Sequence, residues 1–123
     1  MAAAKHLPVY KVAYDLFGVV TGAVRNMPRD LKQIVGSRLA NEAMEIVMLI
    51  FRANSAANKV PHLDDLLERL EVINLSLRLA HDMQLIGIKP YAAAIALTDQ
   101  VGKQVGGWRK HSASSPAAPR SRP

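Results

Sequence analysis

The chain has 123 residues, half of them hydrophobic and none of them cysteine. That is enough apolar material for one core, and it excludes disulfides, thiolate metal sites and cysteine nucleophiles. Sixteen lysines and arginines face ten acidic residues, for a net charge of +6 and a pI near 10. The excess favours a polyanionic partner, because neutralising phosphates releases counterions. No apolar stretch approaches the ~20 residues of a membrane-spanning helix. Leu7-Pro8 follows Met-Ala-Ala-Ala-Lys-His where a secretory leader would turn apolar, so a cytoplasmic protein is expected.

Leu7, Tyr10, Tyr14, Phe17, Thr21 and Val24 recur in steps of three and four and predict a first helix over residues 7–26. Asn26-Met27-Pro28 breaks it. Pro28 suits a new first turn and Asp30 suits its positive dipole end, so the second helix is expected over residues 28–53. Its stripe opens with Leu31, Ile34, Val35 and Leu39, then widens at residues 46–51, Ile-Val-Met-Leu-Ile-Phe. At about 100° per residue, six apolar residues in a row cover every face of a helix. A lone bundle leaves one of those faces wet, so Ile46, Met48, Ile50 and Phe51 are expected at a subunit interface.

Residues 54–61 form a loop ending in Pro61, and the third helix is expected over residues 62–86. Leu63, Leu66, Leu70, Ile73, Leu77 and Ala80 make one seam. Val72, Leu75, Leu79, Met83 and Ile86 make a second, displaced by about 100°. Val72, Leu75 and Leu79 therefore join the expected interface. Gly87 is placed for a left-handed helix stop and Pro90 for the next first turn. The fourth helix carries Tyr91, Ala94, Thr98, Val101, Val105 and Trp108 at bundle spacing. Residues 111–123, rich in Ser, Pro and Ala, predict a disordered basic tail beyond a domain of residues 1–110. Four helices with short loops give an all-α, antiparallel up-down-up-down bundle. Gly18 with Gly22, and Gly102 with Gly106 and Gly107, read as places of close helix approach.

Chemistry is hard to assemble from this inventory. His6, His62, His81 and His111 lack the spacing of metal-bearing bundles. Glu42 and Glu45, like Asp64, Glu68 and Glu71, read as solvated. His81 and Asp82 are neighbours in sequence and so do not face each other on a helix. No nucleophile, base and orienting group come together, so neither enzymatic activity nor a cofactor is expected. Basic charge gathers near the ends of the first and fourth helices, at Arg25, Arg29, Lys103, Arg109 and Lys110, and in the tail.

Four stretches in order resemble the accessory variability determinant proteins of diversity-generating retroelements. They are Pro28-Arg29-x-x-Lys32 leading into Arg38-Leu39-x-x-Glu42-Ala43-x-Glu45-Ile46; Phe51-Arg52-Ala53-Asn54; Leu77-Arg78-Leu79-Ala80 with Leu85-Ile86; and Val105-Gly106-Gly107-Trp108, close to that family's usual Ile-Gly-Gly-Trp ending. The resemblance implies a four-helix bundle assembling as a ring-shaped homopentamer. It also implies a non-catalytic partner of the retroelement's reverse transcriptase, in contact with template RNA and serving mutagenic retrohoming. A related branch, encoded in intervening sequences of 23S ribosomal RNA genes, is the alternative, with no polymerase partner.

Family members often carry two basic residues one turn apart on the third helix. Arg78 matches the second, and the first falls at Asn74. With Arg78, the candidate contacts to nucleic acid or partner are Arg25, Arg29, Lys32, Arg38, Arg52, Lys103, Arg109 and Lys110. The aromatic residues fall on seams, apart from Phe51 in its apolar run. Contacts are therefore expected mainly along the RNA or DNA backbone.

Overall fold

Leu7 is extended (φ −76°, ψ 137°) and Pro8 occupies the first turn of the helix it precedes, where a missing N–H costs nothing. In the computed structural model, which describes residues 7–114, α1 runs Pro8–Arg25 and buries Val9, Ala13, Leu16 and Val20. This corrects the expected stripe, which lay one position away. Tyr14 is 60% exposed, and its ring stacks on Tyr10 at 6.3 Å along the flank of the helix.

The second helix, α2, is compound. It opens as Arg29–Leu31, passes through a π-helical stretch Lys32–Gly36, and continues as Ser37–Ser55. A π turn holds one residue more than an α turn, which swings the preceding residues out of the register set by Leu39. Ile34 is consequently 70% exposed, and Leu31 and Val35 are only half-buried. Gly36 takes the buried place. A Cβ there would lie 2.7 Å from Val24 Cγ1 and 3.4 Å from Met27 Sδ, so the backbone of α2 comes directly against the end of α1. The close approach thus falls at Gly36 and not where the glycine pairs suggested. Gly18, Gly22, Gly106 and Gly107 face open space, and a Cβ at Gly102 would make only an ordinary 3.8 Å contact with Leu70.

Lys59 closes α2. Its ammonium donates to the carbonyls of Ala53, Asn54 and Ala56 at 3.1, 3.1 and 2.9 Å, satisfying acceptors that a helix end leaves open. The third helix, α3, runs Val60–Asp82 with Pro61 in its first turn, and buries Leu63, Leu66, Leu70, Ile73, Leu77 and Ala80, the seam its sequence spacing predicts. The stop beyond it falls earlier than expected. Gln84, not Gly87, adopts the left-handed conformation (φ 64°). The Leu85 N–H donates to Ala80 O at 2.8 Å and the Gln84 N–H to His81 O at 2.9 Å, the pairing of a Schellman stop. Ile86, expected on the outer seam, turns inward here and is buried.

The fourth helix, α4, runs Ile88–Ser114 and buries Ala94, Thr98, Val101 and Val105. It carries helix past Lys110, so the boundary expected at residue 111 moves to at least Ser114. The remainder of the expected tail lies outside the described residues. Each helix packs on its two neighbours, α1 on α2, α2 on α3, α3 on α4 and α4 on α1. The result is the antiparallel four-helix bundle, with Leu16, Leu39, Ile46, Ile50, Leu66, Ile73, Leu77 and Val101 at its centre. No helix among the described residues is long and apolar enough to cross a membrane.

Candidate nucleic-acid and partner surfaces

Alternating helix direction sorts the candidate cations. Arg25, Arg29 and Lys32 flank the α1–α2 turn, at the bundle end that also holds the α3–α4 turn. Arg78 lies one turn before α3 ends there. Arg52, Arg109 and Lys110 sit toward the opposite end. The C-termini of α1 and α4 are therefore at opposite poles, and the basic residues near them do not form one cluster.

Ion pairing sorts them again. Arg38 pairs with Glu42 at 3.3 Å, Arg52 with Glu45 at 3.3 Å, Lys103 with Asp99 at 3.3 Å, and Arg109 with Asp64. The hydrogen bond and charge of Asp64 raise the Arg109 guanidinium pKa above its ordinary value. No ion pair holds Arg25, Arg29, Lys32, Arg78 or Lys110 among the described residues. Lys89, absent from the sequence candidates, is exposed and is also in no ion pair among the described residues. Together with Lys89, these five are open to a polyanion without first breaking an internal pair.

Glu42 is not solvated as expected. It is 6% exposed, and Arg69 Nη1 donates to both of its carboxylate oxygens at 3.1 Å while Arg38 approaches from one turn away. Burial of a carboxylate is tolerable only with such partners. Arg38-x-x-x-Glu42 was a visible signal for half of this arrangement. Arg69, on a different helix, had no local signature.

The apolar candidates divide in the same way. Ile46 and Ile50 are fully buried in the chain's own core and cannot be interface residues, because the 46–51 turn spends one face on its sister helices. Met48 and Phe51, on the outer side, are 43% and 58% exposed. Leu75 and Leu79 are also more than half exposed, and Val72 is half-buried. Tyr14, Ile34, Met44, Met83 and Ile88 add exposed apolar surface that the sequence reading did not assign to an interface. Ile34, Val35, Leu79, Ala80 and Met83, with Arg38 and Ser76, line a groove of about 320 Å³ between α2 and α3.

Other polar side chains are used inside the fold. His81 stacks on Tyr91 at 4.4 Å, with the rings within 2° of parallel, and its Nδ1 lies 3.4 Å from Ile86 O. Trp108 packs partly buried against the core, beside Leu7, Val9 and Gln104. Among the described residues no group of three or more His, Asp or Glu is placed to hold a metal ion.

The fold class is that of an all-α, short-looped antiparallel four-helix bundle, here with cations in no ion pair and apolar side chains left exposed among the described residues. The bAvd-like family model matches residues 9–112, and the chain belongs to that family, the bacterial accessory variability determinants. No curated protein and no solved structure matches it.

Proposed function

We propose that the protein is the non-catalytic accessory subunit of a diversity-generating retroelement. It assembles as a ring of five copies, binds the reverse transcriptase, and holds template RNA or its cDNA through the backbone. Family membership supports the accessory role. The observation that carries the binding reading is the coexistence of exposed Met48, Phe51, Leu75, Leu79 and Met83 with unpaired Arg25, Arg29, Lys32 and Arg78. Exposed apolar side chains favour association, and cations in no ion pair among the described residues attract phosphate without a competing internal partner.

Co-purification with the polymerase of the same retroelement tests this. Polymerase and RNA should be retained at low salt and released steeply between about 50 and 200 mM. Arg78→Glu should weaken that retention while leaving the helical content unchanged. Retained binding by this variant removes Arg78 from the contact surface. A wild-type protein that holds neither polymerase nor RNA fits instead the ribosomal intervening-sequence branch.

A further inference from the structure

The α3–α4 face carries a groove of about 420 Å³ lined by Leu67, Leu70, Glu71, Asn74, Thr98, Asp99, Gly102 and Lys103. We propose that it receives an unstacked base of single-stranded RNA, whose edge is met by the Asn74 carboxamide. The inference rests on the nucleic-acid reading above and adds a base contact to a surface otherwise expected to touch only backbone.

The Asn74 side chain is held in place. The Thr98 hydroxyl, on a residue only 3% exposed, lies 2.7 Å from Asn74 Oδ1 and 2.9 Å from Ile95 O. Its single proton serves these two acceptors, and the carboxamide has one polar end turned to Thr98 and the other free for the groove. A side chain fixed in this way loses little entropy on binding, unlike a free surface asparagine.

Charge balance argues for an uncharged group inside the groove. Asp99 is paired with Lys103 at 3.3 Å, leaving one carboxylate, Glu71, on the lining. A phosphate has no unpaired cation there. One turn along α3 from Asn74, Arg78 is exposed and has no ion pair among the described residues, so a phosphate is met beside the groove and not in it. Leu67 and Leu70 supply an apolar wall for a base face. Gly102 lies against that wall, where an added Cβ would sit in ordinary contact with Leu70 Cδ1 at 3.8 Å and take up part of the groove. A lysine at position 74 would add a phosphate contact. Asparagine, with its Oδ1 accepting from Thr98, leaves its Nδ2 amide as a neutral donor for an acceptor on a base edge.

The test is fluorescence anisotropy with short labelled homopolymers of A, C and U, over a range of salt, on the full chain. Wild type should separate the best from the worst homopolymer by about fivefold or more, the scale of one good base contact. Asn74→Ala and Thr98→Val should both collapse that ratio toward one, with no change in the slope of log K against log salt. Gly102→Ala should reduce it by narrowing the groove. Asn74→Lys should bind all three more tightly and steepen the slope by about 0.7, the value for one added phosphate contact on a single strand. Arg78→Ala should make the slope shallower by a similar amount and keep the ratio. Circular dichroism confirms that each variant is folded.

Equal binding of the three homopolymers by wild type, or an unchanged ratio in Asn74→Ala, overturns the base site while leaving backbone binding intact. A shallower salt slope in Asn74→Ala overturns it too, since it would mark a phosphate contact. Absence of RNA binding at every salt concentration sinks this inference together with the nucleic-acid reading.

Discussion

The seam between α2 and α3 is built in two unlike halves. Toward the α2–α3 loop it is a polar groove of about 430 Å³, where Glu42 meets Arg69, Glu45 meets Arg52, and Asp65 and Glu68 complete the rim. Toward the other end the same two helices expose Ile34, Leu79 and Met83 around an apolar groove. In the first half most charges find a partner within the chain, and little is left to attract another molecule. In the second half the apolar groups find none, and each stays in water at a cost of about 25 cal/mol per Å² of surface that a partner would cover. Hydropathy alone did not separate these roles. Pairing did.

The sharpest way to break the comparison is inside the 46–51 turn. Ile46→Asp puts a carboxylate into the core with no partner and should cost about 4 kcal/mol or more, enough to unfold the chain. Met48→Asp, two residues on and facing outward, should leave each chain's bundle folded and act instead on its association with other copies. Urea denaturation followed by circular dichroism distinguishes them. Equal effects would mean that the inner and outer faces of α2 are wrongly assigned.

Next comes the polar half of the seam. Arg69→Ala leaves Glu42 buried with Arg38 as its remaining cation, a loss of about 2–3 kcal/mol in chemical denaturation. If the variant is as stable as wild type, Glu42 is not enclosed as described. The smallest effect lies where α3 stops beside the apolar half. Gln84 holds a left-handed backbone that strains a residue with a Cβ, so Gln84→Gly should stabilise by about 1 kcal/mol, visible as a raised Tm. A lowered Tm would show that the side chain of Gln84 matters more than its backbone.

Some of this was plain in the sequence. The six buried residues of α3 recur at bundle spacing on a helix with few competing apolar groups on its inner side, so pattern and packing agree. Ala94, Thr98, Val101 and Val105 on α4 behave alike. On α1 two parallel stripes exist one residue apart. The larger side chains of Tyr10, Tyr14 and Phe17 drew the reading to the flank, while Val9, Ala13, Leu16 and Val20 form the true core face. The π turn before Ser37 left no mark in the hydrophobic pattern, and the close approach of Gly36 to Val24 at its end is a contact between two helices that no local pattern carries. Of the candidate sites, the cations could be named but not sorted. Whether Arg109 is committed to Asp64 depends on which helices meet, and that is tertiary information. Arg52 and Glu45 pair two turns apart on one helix, outside the i,i+4 spacing that marks a helical pair.

The central claim is that the apolar surface left outside this bundle is covered by other copies of the chain. Native mass measurement at low micromolar concentration tests it most directly, on wild type and on Leu79→Glu. The account predicts a single species of five 13.4 kDa chains for wild type, and for Leu79→Glu a folded chain of lower mass. A folded wild-type monomer with Met48, Phe51, Leu75 and Leu79 open to water would contradict it.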